Sequence, residues 1–162
     1  MQLNQNNPMT NNDILRRIRY TFDFSDPKMV EIFSAADFVT TREDIHSWLL
    51  KDDDTAFKKC KDREMAAFLN GFINYRRGKK EGAQPEIEKR LNNNAIFMKL
   101  KIALNLKAED VIEIMALAEF NISKHELSAL FRKADHKHYR ECGDQVLRNF
   151  LVGLQLRHRP TT

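Results

Sequence analysis

Apolar residues recur along this chain with a period near 3.6 and never in strict alternation, which predicts helices throughout and no strand. Ile14, Leu15, Ile18 and Phe22 form one stripe, and Met65, Phe68, Leu69, Phe72 and Ile73 form another. The stripes return as Ile96, Phe97, Leu100 and Leu104, and as Leu147, Phe150, Leu151 and Leu154. Each reads as the buried face of an amphipathic helix.

The recurrence is a duplication. A shift of 82 positions lays residues 12–77 on residues 94–159 without a gap. Asn12 then meets Asn94, Glu31 meets Glu113, Phe38 meets Phe120, Cys60 meets Cys142, Asp62 meets Asp144 and Gly71 meets Gly153. Between the identities, apolar stays on apolar, as in Ile18 with Leu100, Trp48 with Leu130 and Phe57 with Tyr139. A constant register over about 65 residues marks an internal repeat.

Each half predicts four helices. Asn residues open the first helix of each half and read as N-caps. The second helices start at Ser25-Asp26-Pro27 and Ala108-Glu109-Asp110, where proline and acids suit a first turn. The third start with hydroxyl-x-x-acid boxes, Thr41 with Asp44 and Ser123 with Glu126. Asp62 and Asp144 read as N-caps or first-turn acids of the fourth helices. Gly71 and Gly153 lie inside those helices, where glycine costs up to about 1 kcal/mol relative to alanine, so close helix packing is expected, with the two long helices crossing there. The expected fold is all-α: two pseudo-symmetric four-helix repeats, 11–78 and 92–159, each containing a helix-turn-helix-like pair. Residues 79–91, with Gly82 and Pro85, form the linker, and 1–10 a flexible extension. The halves are expected to pack through their first and fourth helices.

Composition narrows the class. With 42% hydrophobic and 31% charged residues the chain suits a globular protein. It has no apolar run near the roughly 20 residues of a membrane span and no signal-peptide layout, so a cytoplasmic chain without a membrane partner is expected. Two isolated cysteines predict reduced thiols. The 27 basic residues against 23 acidic give a net charge of +4, a mild lean toward polyanionic partners. No basic tail produces it, so any cationic surface must come from folded faces.

Three groups could carry chemistry. The segment from Glu113 to Lys133 has helix-turn-helix spacing, with Lys124, His125, Ser128 and Arg132 outward and Asn121 in the left-handed turn position. The first copy has Val39 there and acids at Glu43 and Asp44. Arg16, Arg17 and Arg19, with Lys99 and Lys101, mark cationic outer faces on the first helices, and Arg76, Arg77, Arg157, His158 and Arg159 end the fourth. Helix-end cations complement the dipole whatever else they do. The segment "DHKHYRECGDQ" holds His136, His138, Arg140, Cys142 and Asp144. Its H-x-H-x3-C spacing suggests zinc, but the first half offers Asp54, Ala56 and Cys60 at the equivalent places, so no metal is expected. A helix start can activate a thiol, with His138 as base, although a buried structural cysteine is the simpler reading. No phosphate loop, nucleophile elbow or paired-carboxylate site is present.

"NNDILRRIRY" at Asn11, "FLNGFINYRRG" at Phe68, "RLNNN" at Arg90 and "DHKHYRECGDQVLRNFL" at Asp135 resemble the YehS-like family of small bacterial proteins of unknown function. That resemblance covers nearly the whole chain and implies that Met9 is where family members begin, leaving residues 1–8 as an extension. It implies no activity. The residues themselves favour a non-enzymatic protein without a cofactor that associates with DNA or RNA at low sequence specificity. The alternatives are a protein-interaction module or homodimer, and a thiol enzyme using Cys142.

Overall fold

The computed structural model describes residues 8–159, which form eight helices: α1 (Asn11–Phe22), α2 (Asp26–Ser34), α3 (Arg42–Leu49), α4 (Asp62–Arg77), α5 (Asn93–Ala103), α6 (Ala108–Leu117), α7 (Lys124–Leu130) and α8 (Asp144–His158). No strand occurs among the described residues. Of the expected N-terminal extension, residues 1–7 lie outside the described residues. Thr10, by contrast, belongs to the fold: it caps α1 and forms a reciprocal box with Asp13.

Local chemistry explains the helix boundaries. Ser25, Thr41, Asn92 and Ser123 each accept a backbone N–H from the first turn of the following helix. Asn92 caps α5 as expected, but α1 uses Thr10, and Asn11 and Asn12 are freed for another task. Four helices end in the same way. Asp23, Asn105, Asp37 and Glu119 adopt left-handed conformations, with φ of 55°, 54°, 58° and 58°. The next residue in each case, Phe24, Leu106, Phe38 or Phe120, donates its N–H back to the helix at 3.0 to 3.2 Å and brings an apolar side chain to the core. The left-handed turn after α2 and α6 thus falls on Asp37 and Glu119. Val39 and Asn121, two residues later, are past it.

The long helices are parallel. Asn11 at the start of α1 bonds Asp62 at the start of α4, and Asn93 at the start of α5 bonds Asp144 at the start of α8. At the other end Phe22 rests on Phe72 and His158. Helix α1 packs on α8, α4 on α5, α1 on α4 and α5 on α8, so the four close into a bundle with every N-terminus at one pole. The pairs α1–α8 and α4–α5 exchange under the 82-residue shift, which makes the interface between halves reciprocal, as in a two-fold dimer. The apolar residues of both halves join in one core, with Phe97 stacked on Phe150 at 4.4 Å. The pairs α2–α3 and α6–α7 flank this bundle.

Glycine fixes the flanks. Gly71 and Gly153 are buried, and a Cβ on either would stand 1.9 Å from Ile32 O or 2.1 Å from Ile114 O. The helix that crosses each glycine is therefore α2 or α6 of the same half, and the expected crossing of the two long helices there is corrected.

Candidate functional site

The N-terminal pole of the bundle is held by duplicated asparagines. Asn12 Nδ2 donates to Trp48 O and Lys58 O, both at 2.9 Å, while its Oδ1 accepts Cys60 N–H at 2.9 Å. Asn94 repeats this with Leu130 O, Arg140 O and Cys142 N–H at 2.9, 2.8 and 2.9 Å. Each residue satisfies all three of its local partners in the interior and ties the loop before the fourth helix to the first helix. Asn11 and Asn93 extend the clasp to Cys60 O and Cys142 O.

Asp62 and Asp144 are first-turn acids, and they also join the halves. Leu91 N–H donates to Asp62 Oδ2 at 3.0 Å, and Met9 N–H donates to Asp144 Oδ2 at 3.4 Å. These donors are themselves 82 residues apart.

Clasped this way, the loops hold cations around four positive helix ends. Lys58, Lys59, Lys61, Arg63, Arg90 and Arg140 are exposed next to the residues just described. Five of these six were missed in sequence, because loop lysines carry no periodic signal. The duplicated Asn pair was the available clue.

The first-helix cations behave otherwise. Arg16 binds Asp13 at 2.6 Å, Asp52 at 3.3 Å and Leu50 O at 2.6 Å. Arg17 is buried and donates to Gln155 of α8, and burial pushes its guanidinium below the usual value against the pull of Asp13. Lys99, its counterpart, binds Glu88 at 2.5 Å and Asn70 at 2.6 Å. Burial opposes ionisation of Glu88, but Lys99 and Asn70 outweigh it and draw the carboxyl below the ordinary range. Lys101 covers the Phe131 ring at 5.4 Å, and Arg19 is half-buried. Of the expected cationic outer faces, Arg17 and Lys99 are thus drawn into the seam between halves, while Arg16 and Lys101 are engaged within their own halves.

The helix-turn-helix-like pairs exist as packed helices, but residues 35–41 and 118–123 connect them, longer than the three- or four-residue turn of the DNA-binding motif. On α7, Lys124 is tied to Glu109 at 3.1 Å and His125 is exposed. Arg132 Nη1 stands 3.4 Å from His136 Nε2. A shallow depression of about 460 Å³ lies on the first pair beside Asp26, Arg42, Glu43, His46 and Ser47.

In the cysteine segment the two histidines and the thiol are set in different surroundings. His136 and His138 are exposed with rings 5.6 Å apart, whereas Cys142 is buried. Burial pushes the Cys142 thiol up to about 11 and, with Glu64 and Asp62 adding to it, the Cys60 thiol up to about 12. A thiolate nucleophile needs the opposite shift. No group of three metal-binding side chains occurs among the described residues, and none of the helices is long and apolar enough to cross a membrane.

The family described as protein of unknown function (DUF1456) matches residues 11–78 and again 93–159. The chain belongs to the DUF1456 family. Each match is one four-helix repeat, so the DUF1456 unit is the half and this chain carries it twice. The uncharacterized protein YehS of Escherichia coli (strain K12) is 43% identical over 150 residues, covering 92% of this chain and 96% of that protein. No solved structure matches.

Proposed function

We propose that this DUF1456 protein is a non-enzymatic nucleic-acid-associating protein and that its contact surface is the N-terminal pole of the bundle. The carrying observation is the parallel alignment of α1, α4, α5 and α8. Each helix start bears roughly half a positive charge, and anions are favoured near it. Cations near such ends oppose the dipole and are not explained by folding. Lys58, Lys59, Lys61, Arg63, Arg90 and Arg140 are exposed there all the same. At the other pole Arg76, Arg77, Arg157 and Arg159 complement the negative ends, which is sufficient reason for them.

Such a surface recognises phosphates rather than bases, so affinity should fall steeply with salt and differ little between sequences. The test is fluorescence anisotropy with labelled mixed-sequence DNA and RNA between about 50 and 200 mM salt, where counterion release is strongly felt. The expected result is binding at low salt with a log–log slope of several units. Absence of affinity at the lowest salt overturns the proposal.

A further inference from the structure

The second repeat is a built-in control for what the N-terminal pole of the bundle needs in order to fold. The 82-residue shift exchanges α1 with α5 and α4 with α8 while all four stay parallel. A pseudo-two-fold axis therefore runs along the bundle and gives the pole two equivalent corners. At one corner Leu91 N–H donates to Asp62 at the start of α4; at the other Met9 N–H donates to Asp144 at the start of α8. Asn11 and Asn93 bond the same two carboxylates, so the polar frame is complete at both corners.

The residues beside that frame differ. Next to Leu91 and Asp62 stand Arg90, Lys61 and Arg63, all exposed, whereas Pro8, Gly143 and Gln145 hold the same three exposed places next to Met9 and Asp144. Two positions before Lys61, Lys59 is answered by Glu141. The second corner closes on the same hydrogen bonds with no cation at these four positions, so the fold does not call for the four at the first. None of Lys59, Lys61, Arg63 and Arg90 pairs with a carboxylate among the described residues. The other acids of this loop, Asp52 to Asp54, stand at its far end, where Asp52 meets Arg16 of α1 at 3.3 Å. They confine an anion to the α4–α5 side.

We propose, resting on the reading of the pole as a nucleic-acid surface, that the phosphate backbone is held at one corner only. Lys59, Lys61, Arg63 and Arg90 take it over the starts of α4 and α5, and the α8–α1 corner stays free. The two repeats then differ in role: the first repeat and the end of the linker hold phosphates, while the second repeat completes the bundle. One phosphate chain is bound per protein chain, off the pseudo-symmetry axis, and it is recognised by charge rather than by base.

Two variants place the same change of charge at equivalent positions. Lys61→Gln with Arg63→Gln removes two cations from the first corner. Gly143→Asp with Gln145→Glu adds two acids to the second, where a side chain on Gly143 meets open space and acids suit a helix start. Affinity of the full chain for labelled mixed-sequence DNA and RNA is read by anisotropy at about 100 mM salt, where screening limits a charge's reach to about 10 Å. The first variant should lose roughly fivefold or more, with a salt slope shallower by about two, and the second should stay within about twofold of the parent. A thermal melt confirms that both are folded. Equal losses, a larger loss in the second variant, or unchanged affinity in the first overturns the corner assignment and leaves the nucleic-acid reading in place; a parent without affinity for either probe overturns both.

Discussion

Gly71 lies beneath the carbonyl of Ile32, so close that a Cβ on the glycine would stand 1.9 Å from that oxygen. The contact is backbone to side-chain position, and no flexible atom can yield. Alanine would add helix propensity worth up to about 1 kcal/mol, while overpacking costs about 1 to 3 kcal/mol. Gly71→Ala and Gly153→Ala should each lower the urea midpoint. An unchanged or raised midpoint in both would show that α2 and α6 are not seated as described.

Asn12 and Asn94 should be among the most sensitive polar positions. Truncation to alanine strands two carbonyls and one N–H, each costing about 1 to 3 kcal/mol where no water reaches. Asn12→Asp should also destabilise, since a carboxylate cannot donate to Trp48 O and Lys58 O. Denaturant titration checks both; a loss below about 1 kcal/mol in Asn12→Ala would remove the clasp from the account.

The buried thiols predict a pH dependence. Their folded values stand near 12 for Cys60 and 11 for Cys142, above the ordinary 9.0. The unfolded chain therefore loses these protons first as pH rises. Their stabilising contribution is complete below about pH 9, shrinks above it and is lost by about pH 11 to 12, at up to roughly 1.4 kcal/mol per pH unit for each thiol. Cys60→Ala should flatten this decline, whatever it does to the midpoint near neutrality. At pH 8 the native chain should resist iodoacetamide and react only on unfolding; fast labelling of folded protein would contradict the buried assignment.

How far the sequence announced this arrangement depends on the range of each interaction. The stripes from Ile14 to Phe22 and from Met65 to Ile73 mark helices because burial imposes the helical period, and the boxes at Thr41 and Ser123 act within one turn. Gly71 and Gly153 signalled a close approach, but the approaching helix is set by tertiary packing and turned out to be α2 or α6. Asn12 and Asn94 looked like caps because their partners, Lys58 O and Arg140 O, lie 46 residues away. Arg17 and Lys99 sit next to the apolar stripe and read as outward. They are enclosed because a second set of helices from the other half covers that flank. Apart from Arg140, the cations of the N-terminal pole carry no signal in the sequence, since only the parallel bundle makes their position electrostatically unfavourable.

The decisive comparison sets the two poles against each other. Binding of mixed-sequence nucleic acid at about 50 mM salt should be measured for the parent, for Lys61→Glu with Arg63→Glu, and for Arg76→Glu with Arg157→Glu. Acids at a helix start favour the helix and acids at its end oppose it. The first variant should thus be the better folded and the worse binder, losing roughly tenfold in affinity with a salt slope shallower by about two. The second should bind within about threefold of the parent once its folding is confirmed. If instead the Arg76 and Arg157 variant loses binding and the Lys61 and Arg63 variant keeps it, the N-terminal pole is not the contact surface.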